Sequence, residues 1–161
     1  MWNKIKPYIL PYSIAIAIPL AVGTLSAFMT KDNMDIYSQI IKPPLAPPGW
    51  LFPIVWTLLY VLMGVGAAMI YMKRYEEKEA VRKALGYYAM SLVANLGWSI
   101  IFFNMRVFAL AFIWLMLLLY LIVRYIIIYF KIDHIAAYLQ IPYAVWVIFA
   151  GYLNLAIAVL N

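Results

Sequence analysis

Five long apolar stretches set the terms for this chain. Residues 8–29, 50–72, 84–104, 107–130 and 135–160 each reach the roughly 20 residues that a helix needs to cross a bilayer. The polar breaks between them are Lys31-Asp32-Asn33 onward, Lys73 to Lys83, Asn104-Met105-Arg106, and Lys131 to His134. Three of the four are short, which predicts that consecutive helices lie as antiparallel neighbours. The expected fold is an all-α integral membrane protein, a single domain (1–161) of five transmembrane helices in a compact bundle, with an outer loop over residues 30–49. Only 11% of the residues are charged, against about 25% in soluble domains, so a water-facing surface could not be built from them. The first run follows Lys4 and Lys6 and contains Leu25-Ser26-Ala27, which resembles a signal cleavage site. Its apolar length and its prolines, Pro11 and Pro19, suit a retained span better.

Basic residues give the orientation. Lys4, Lys6, Lys73, Arg74, Lys78, Arg82, Lys83 and Lys131 fall on one side, joined by Arg124 if it snorkels from two turns inside the fourth helix. Lys31, Lys42 and Arg106 fall on the other. Nine against three predicts an inside N-terminus and an outside C-terminus. In a soluble protein the net charge of +6 would suggest nucleic acid. Here the basic residues flank apolar runs, so topology and membrane lipid headgroups account for them and no nucleic-acid partner is expected.

The stretch from Lys42 to Gly64 organises the outer side. Its first half, Lys42-Pro43-Pro44-Leu45-Ala46-Pro47-Pro48-Gly49, cannot propagate a helix and forms a stiff approach. Pro53 then falls in the first turn of a helix, where its missing N–H costs least. Trp56, Tyr60 and Gly64 recur every four residues and share one face. Just before this stretch, Ile36, Tyr37, Ile40 and Ile41 have the spacing of a short amphipathic helix over the bundle mouth. In the loop from Lys73 to Lys83, the i,i+4 pair Glu79 and Lys83 suggests helix extensions into water.

Antiparallel order also fixes approximate depth. Trp56 lies roughly 9 Å below the outer side at 1.5 Å per residue. Asn95 and Trp146 fall near mid-membrane, with Trp98 and Phe102 in the outer half and Ala150 and Asn154 above Trp146. Gly23 and Ala27 occupy the outer half of the first helix. These positions can surround one space under the outer loop, with tryptophans as flat walls and small residues leaving room. Asn95 and Asn154 must face the bundle interior, either toward that space or in interhelical hydrogen bonds. Trp2 and Trp50 suit an interfacial belt. Gly23/Ala27 and Gly64/Ala68 mark close helix approach.

No reaction centre is legible. All six acids lie in loops, cysteine is absent, and the one histidine, His134, sits in a polar break beside Lys131 and Asp133 as a solvated interfacial residue. Catalytic residues, metal ligands and a required cofactor are therefore not expected. The inferred cavity suits a flat, greasy molecule.

At these residues the chain resembles the translocator protein family, also called the tryptophan-rich sensory or peripheral benzodiazepine receptor family. The resemblance rests on Lys42-Pro43, then Pro47-Pro48-Gly49-Trp50, Pro53, Trp56, Leu59-Tyr60 and Met63-Gly64, with Pro19 and Gly23, Tyr37, Asn95 and Trp98. Pro142-Tyr143, Trp146, Ala150 and Leu153-Asn154 complete it. It implies a membrane receptor or translocator for porphyrins such as protoporphyrin IX or haem, for sensing, buffering or transport. The implied contact set is Gly23, Ala27, Tyr37, Trp56, Asn95, Trp146 and Ala150, to which the depth argument adds Trp98. A homodimer in a bacterial cell membrane is the implied setting. The family also offers other readings: light- and oxygen-dependent porphyrin breakdown beside Trp56 and Trp146, or an interaction scaffold with a vestigial cavity. The sterol motif that animal members carry at the end of helix five lacks its Tyr and Arg/Lys here, where the chain reads Leu155-Ala156-Ile157-Ala158-Val159-Leu160-Asn161. A loose version occurs at Val123, Tyr125 and Lys131. Pro44 stands where many members carry an aromatic residue or serine, which is expected to alter the lid.

Overall fold

A computed structural model describes residues 2–161, with side chains from Tyr8 onward. The side chains of Trp2, Lys4 and Lys6, which the belt and orientation readings used, lie outside the described residues. The elements are α1 (Trp2–Thr30), α2 (Ile36–Gln39), α3 (Leu51–Met72), α4 (Lys78–Ser99), α5 (Phe108–Ile132), α6 (His134–Tyr138) and α7 (Ile141–Leu160). A π-helical segment, Ile100–Met105, continues α4. Five segments are long and apolar enough to cross a membrane: Tyr8–Asn33, Leu51–Met72, Lys78–Met105, Phe108–Ile132 and His134–Leu160. The α1 helix runs unbroken through Pro11 and Pro19, as membrane helices tolerate when neighbours re-satisfy the freed carbonyls.

Packing follows from which face of each helix is apolar and narrow. In α5 the buried residues Ala111, Leu115, Leu118, Ile122, Tyr125 and Tyr129 alternate steps of four and three, the spacing of a coiled-coil seam. That seam lies against both α4 and α7. At Gly64 any side chain would run into the α1 backbone at Ala15 and Ile16, so this glycine lets α1 and α3 cross closely. The resulting ring runs α1, α3, α6–α7, α5, α4 and back to α1. This corrects the expectation that all consecutive spans are neighbours. The α3 and α4 helices touch only lightly, because α1 packs against both and separates them on that side.

The polar joints hold further corrections. The α3 helix stops at Met72 without an extension, whereas α4 starts at Lys78, so residues 78–83 form the expected extension on that side only. Glu79 and Lys83 do not pair; the ion pair formed there joins Lys73 and Glu76 at 3.5 Å, both exposed. The fifth span is broken at Leu139 and Gln140 rather than continuous. Pro142 has no N–H to donate to the carbonyl of Tyr138, so the helix restarts at Ile141. Asp133 caps α6 by accepting from the Ala136 N–H at 3.0 Å. The fully buried Gln140 occupies the break, donating to the carbonyls of Leu62 and Ala136 and accepting from the Tyr125 hydroxyl.

The outer loop carries a 3-10 turn, Lys31–Asn33, and one α-helical turn, α2, within an otherwise irregular strap. Ile36 is its buried anchor, whereas Ile41 is exposed. Three side chains, Asn161, Tyr152 and Asn104, pin the strap and its junction with α1 to the bundle. Asn161 brackets Ile41, accepting from its N–H at 2.9 Å and donating to its carbonyl at 3.1 Å. Tyr152 donates to the Pro44 carbonyl at 2.9 Å. Asn104 donates to the Met29 carbonyl at 2.9 Å and accepts from Asn33 at 3.1 Å. Pro44 thus enters the lid through its carbonyl, and Leu45 after it turns the chain in the left-handed region at φ 68°. Trp50 is exposed at the head of α3, where an interfacial anchor belongs.

Candidate ligand cavity

Beneath the strap lies a partly open cavity of about 580 Å³. Four spans line it: α1 through Gly23, Ser26, Ala27 and Thr30; α3 through Phe52, Trp56 and Tyr60; α4 and its π segment through Asn95, Trp98, Ser99, Phe102 and Phe103; α7 through Ala150, Leu153, Asn154 and Ile157. The strap adds Asp35, Tyr37 and Lys42. No lining residue comes from α5, which buttresses α4 and α7 from behind. On the side between α1 and α3, Thr24, Ala27, Pro53 and Thr57 line the cavity yet remain exposed, as do Met34, Asp35, Ser38, Lys42 and Gly49 of the strap.

Seven of the eight residues named from the sequence, Gly23, Ala27, Tyr37, Trp56, Asn95, Trp98 and Ala150, line this one space. Each arrives with a structural task. Gly23 leaves room for the ring of Tyr60, which lies where a side chain at 23 would stand. Tyr60 in turn stacks on Trp56, with ring centroids 5.4 Å apart and planes 29° from parallel. Asn95 is buried and donates to the Tyr143 hydroxyl at 3.0 Å. The Trp98 indole N–H donates to Asn154 Oδ1 at 2.9 Å, and Asn154 Nδ2 donates to the Phe108 carbonyl at 2.7 Å. Both asparagines therefore make interhelical hydrogen bonds and line the cavity at once. Tyr37 donates its hydroxyl to the Pro47 carbonyl at 2.8 Å, and the Lys42 ammonium lies 4.9 Å over its ring. Burial raises the Tyr37 pKa above its ordinary value, so the neutral phenol is favoured.

Trp146 is the correction. It shares the α7 stripe with Ala150 but does not line the cavity, because the Phe52 ring intervenes edge-on at 5.9 Å. Phe52 meets Tyr37 on its other side at 5.2 Å and so closes a row from strap to α7. The Trp146 indole N–H is buried without a hydrogen-bond partner among the described residues.

Sequence reasoning missed Phe52, Phe103 and Ser99 as lining residues. Phe52 lies four before Trp56, and Ser99 four after Asn95, so helical spacing could have found both. Phe103 lies four after Ser99 and carried the same signal. It lies in the π segment, whose wider turn brings it and Phe102 to the same wall.

Chemically the walls are apolar despite their hydroxyls. Thr24, Thr30, Thr57 and Ser99 each donate to a carbonyl four residues back in their own helix. The Ser26 hydroxyl, two amides with their partners, the flat rings and the charged Asp35 and Lys42 of the strap remain, which suits recognition of a planar, largely apolar body by its faces. The loose sterol pattern at Val123, Tyr125 and Lys131 cannot act as a lipid-facing motif, because Tyr125 is fully buried and bonded to Gln140.

These features define a multi-pass membrane protein with a lidded cavity at the strap end of a five-span bundle. Residues 15–160 match the TspO/MBR family. The chain is 36% identical to the tryptophan-rich protein TspO of Chlorobaculum tepidum over 154 residues, covering 95% of this chain and 97% of that protein. It is 33% identical to protein CrtK of Rhodobacter capsulatus, covering 78% of each. It is 34% identical to the translocator protein of Bos taurus, covering 85% of this chain and 82% of that one. The chain belongs to the TspO/MBR family.

Proposed function

We propose that this protein binds porphyrins, protoporphyrin IX or haem, in the cavity under the strap, and that binding serves sensing, buffering or transport. The observation that carries the reading is the cavity wall, where Trp56 backed by Tyr60 faces a space ringed by Trp98, Phe102 and Ala150. Its volume of about 580 Å³ falls within the roughly 300–1,000 Å³ of small-molecule sites. A space of that size with ordered polar groups argues for an occupant rather than a vestige. The open flank between α1 and α3 gives a greasy ligand access from the bilayer. No required cofactor or metal is assigned. The working form is a homodimer in a bacterial cell membrane, with its N-terminus inside, its C-terminus outside and the strap on the outer side.

The test is a titration of protoporphyrin IX into the protein held in lipid, read by tryptophan fluorescence quenching. Saturation at one macrocycle per chain supports the reading. Linear, unsaturable partitioning into lipid would contradict it.

A further inference from the structure

Arg124 stands apart from the site described above. It lies in α5, eight residues before that helix ends at Ile132, which places it roughly 12 Å inside the lysine-rich end. Its guanidinium does not extend toward that end, as snorkelling would require. It lies 5.3 Å from the Tyr87 ring of α4 and 5.8 Å from the Tyr120 ring of its own helix. Its one hydrogen bond is a long one, 3.5 Å, to the Tyr120 hydroxyl. No carboxylate pairs with it among the described residues. Four of its five N–H donors are therefore unmet at a depth where unmet donors are costly.

We propose that Arg124, Tyr87 and Tyr120 form a binding site for the phosphate of an anionic phospholipid, at the α4–α5 seam on the lysine-rich side. The guanidinium fork matches two phosphate oxygens, and the rings from two helices hold it in place by cation–π attraction. The neighbouring surface fits acyl chains. Leu117 and Ile113 on α5 and Met90 and Val93 on α4 are exposed. Beside Tyr87 the α4 surface is open, since a side chain at Gly86 would meet nothing within 4 Å. A second copy of the chain cannot supply the missing anion at this depth. Of its six acids, Asp32, Asp35, Glu76, Glu77 and Asp133 lie in the strap or the polar joints, and Glu79 lies in the first turn of α4 at the polar end.

The experiment is native mass spectrometry of the full chain with phosphatidylglycerol, phosphatidylcholine and inorganic phosphate as separate probes. The wild type should retain one phosphatidylglycerol preferentially. Arg124→Gln should weaken that first lipid about five- to tenfold, the scale of one basic residue at a membrane surface. Arg82→Gln, exposed in the second turn of α4, should leave it unchanged. Tyr87→Leu with Tyr120→Leu should weaken it while keeping the charge, and this pair decides the matter if Arg124→Gln fails to fold. Equal retention of phosphatidylcholine, displacement by inorganic phosphate, or undiminished lipid in both variants would overturn the proposal. So would an altered oligomeric state in Arg124→Gln with lipid retention unchanged, which would mark the seam as a contact between copies.

Discussion

The Trp98 indole N–H donates to Asn154 Oδ1 at 2.9 Å, joining α4 to α7 across the wall of the cavity. The same asparagine holds the Phe108 carbonyl at 2.7 Å, so one side chain ties three spans. Side-chain hydrogen bonds in membranes average about 0.6 kcal/mol, so Asn154→Leu should cost about 1 kcal/mol of stability. Trp98→Phe removes the same donor. A double-mutant cycle on thermal stability should therefore show the two substitutions to be non-additive by about 0.6 kcal/mol. Strict additivity would mean that the bond contributes nothing.

Trp56 and Trp146 should behave differently. Trp56 faces the cavity and stacks on Tyr60, whereas Trp146 stands behind Phe52. Trp56→Ala should lower porphyrin affinity by roughly five- to hundred-fold, the loss of about 1–3 kcal/mol of stacking and burial. Trp146→Ala should mainly lower thermal stability by leaving a void, with a change in affinity of about threefold or less. Paired melting curves and titrations separate the two, and equal affinity losses would place Trp146 in the site.

How much of this was legible in the sequence depends on whether the signal was local. The five spans, the stiff approach through Pro43, Pro44, Pro47 and Pro48, and the Trp56–Tyr60 face all follow from hydropathy, proline and helical period. Such signals need no knowledge of neighbours. The order of helices around the ring does not follow, because short joints say which ends are close and not which faces meet. For the same reason Trp146 was placed on the correct stripe but not behind Phe52. The break before α7 was readable, since Pro142 cannot donate to a carbonyl four residues earlier. The filling of that break by Gln140 depended on Leu62 and Tyr125, which are distant in sequence.

Tyr37 sets an expectation for iron. Its hydroxyl is donated to the Pro47 carbonyl and burial raises its pKa, so phenolate ligation of ferric iron is disfavoured. Haem and metal-free protoporphyrin should bind within roughly tenfold of one another, about 1.4 kcal/mol. The linkage has a definite sign. A phenol whose folded pKa is raised stabilises the fold below its unfolded value of about 10, and that contribution is lost as pH rises through the folded value. Affinity for haem should accordingly be flat through neutral pH as far as Tyr37 is concerned. The check is a pair of titrations with haem absorption spectra. A hundredfold preference for haem, abolished in Tyr37→Phe, would contradict this.

Basic residues predict the orientation. Lys73, Arg74, Lys78, Arg82 and Lys83 cluster at the α3–α4 joint, and only Lys31, Lys42 and Arg106 lie on the side of the strap. A reporter fused after Asn161 should be active only outside the cytoplasm. Activity confined to the cytoplasm would reverse the orientation.

Ala150 offers the most direct test of where the ligand sits. It lies on the α7 wall of the cavity between the Asn154 bond and the Phe52–Trp146 contact. A phenylalanine there projects into the space. The decisive measurement is protoporphyrin IX affinity of Ala150→Phe against wild type in lipid, with melting temperatures recorded on the same samples. The cavity account predicts at least a tenfold loss of affinity, about 1.4 kcal/mol, with the melting temperature held or raised. Wild-type affinity in a variant that melts like the wild type would place the porphyrin elsewhere on the protein.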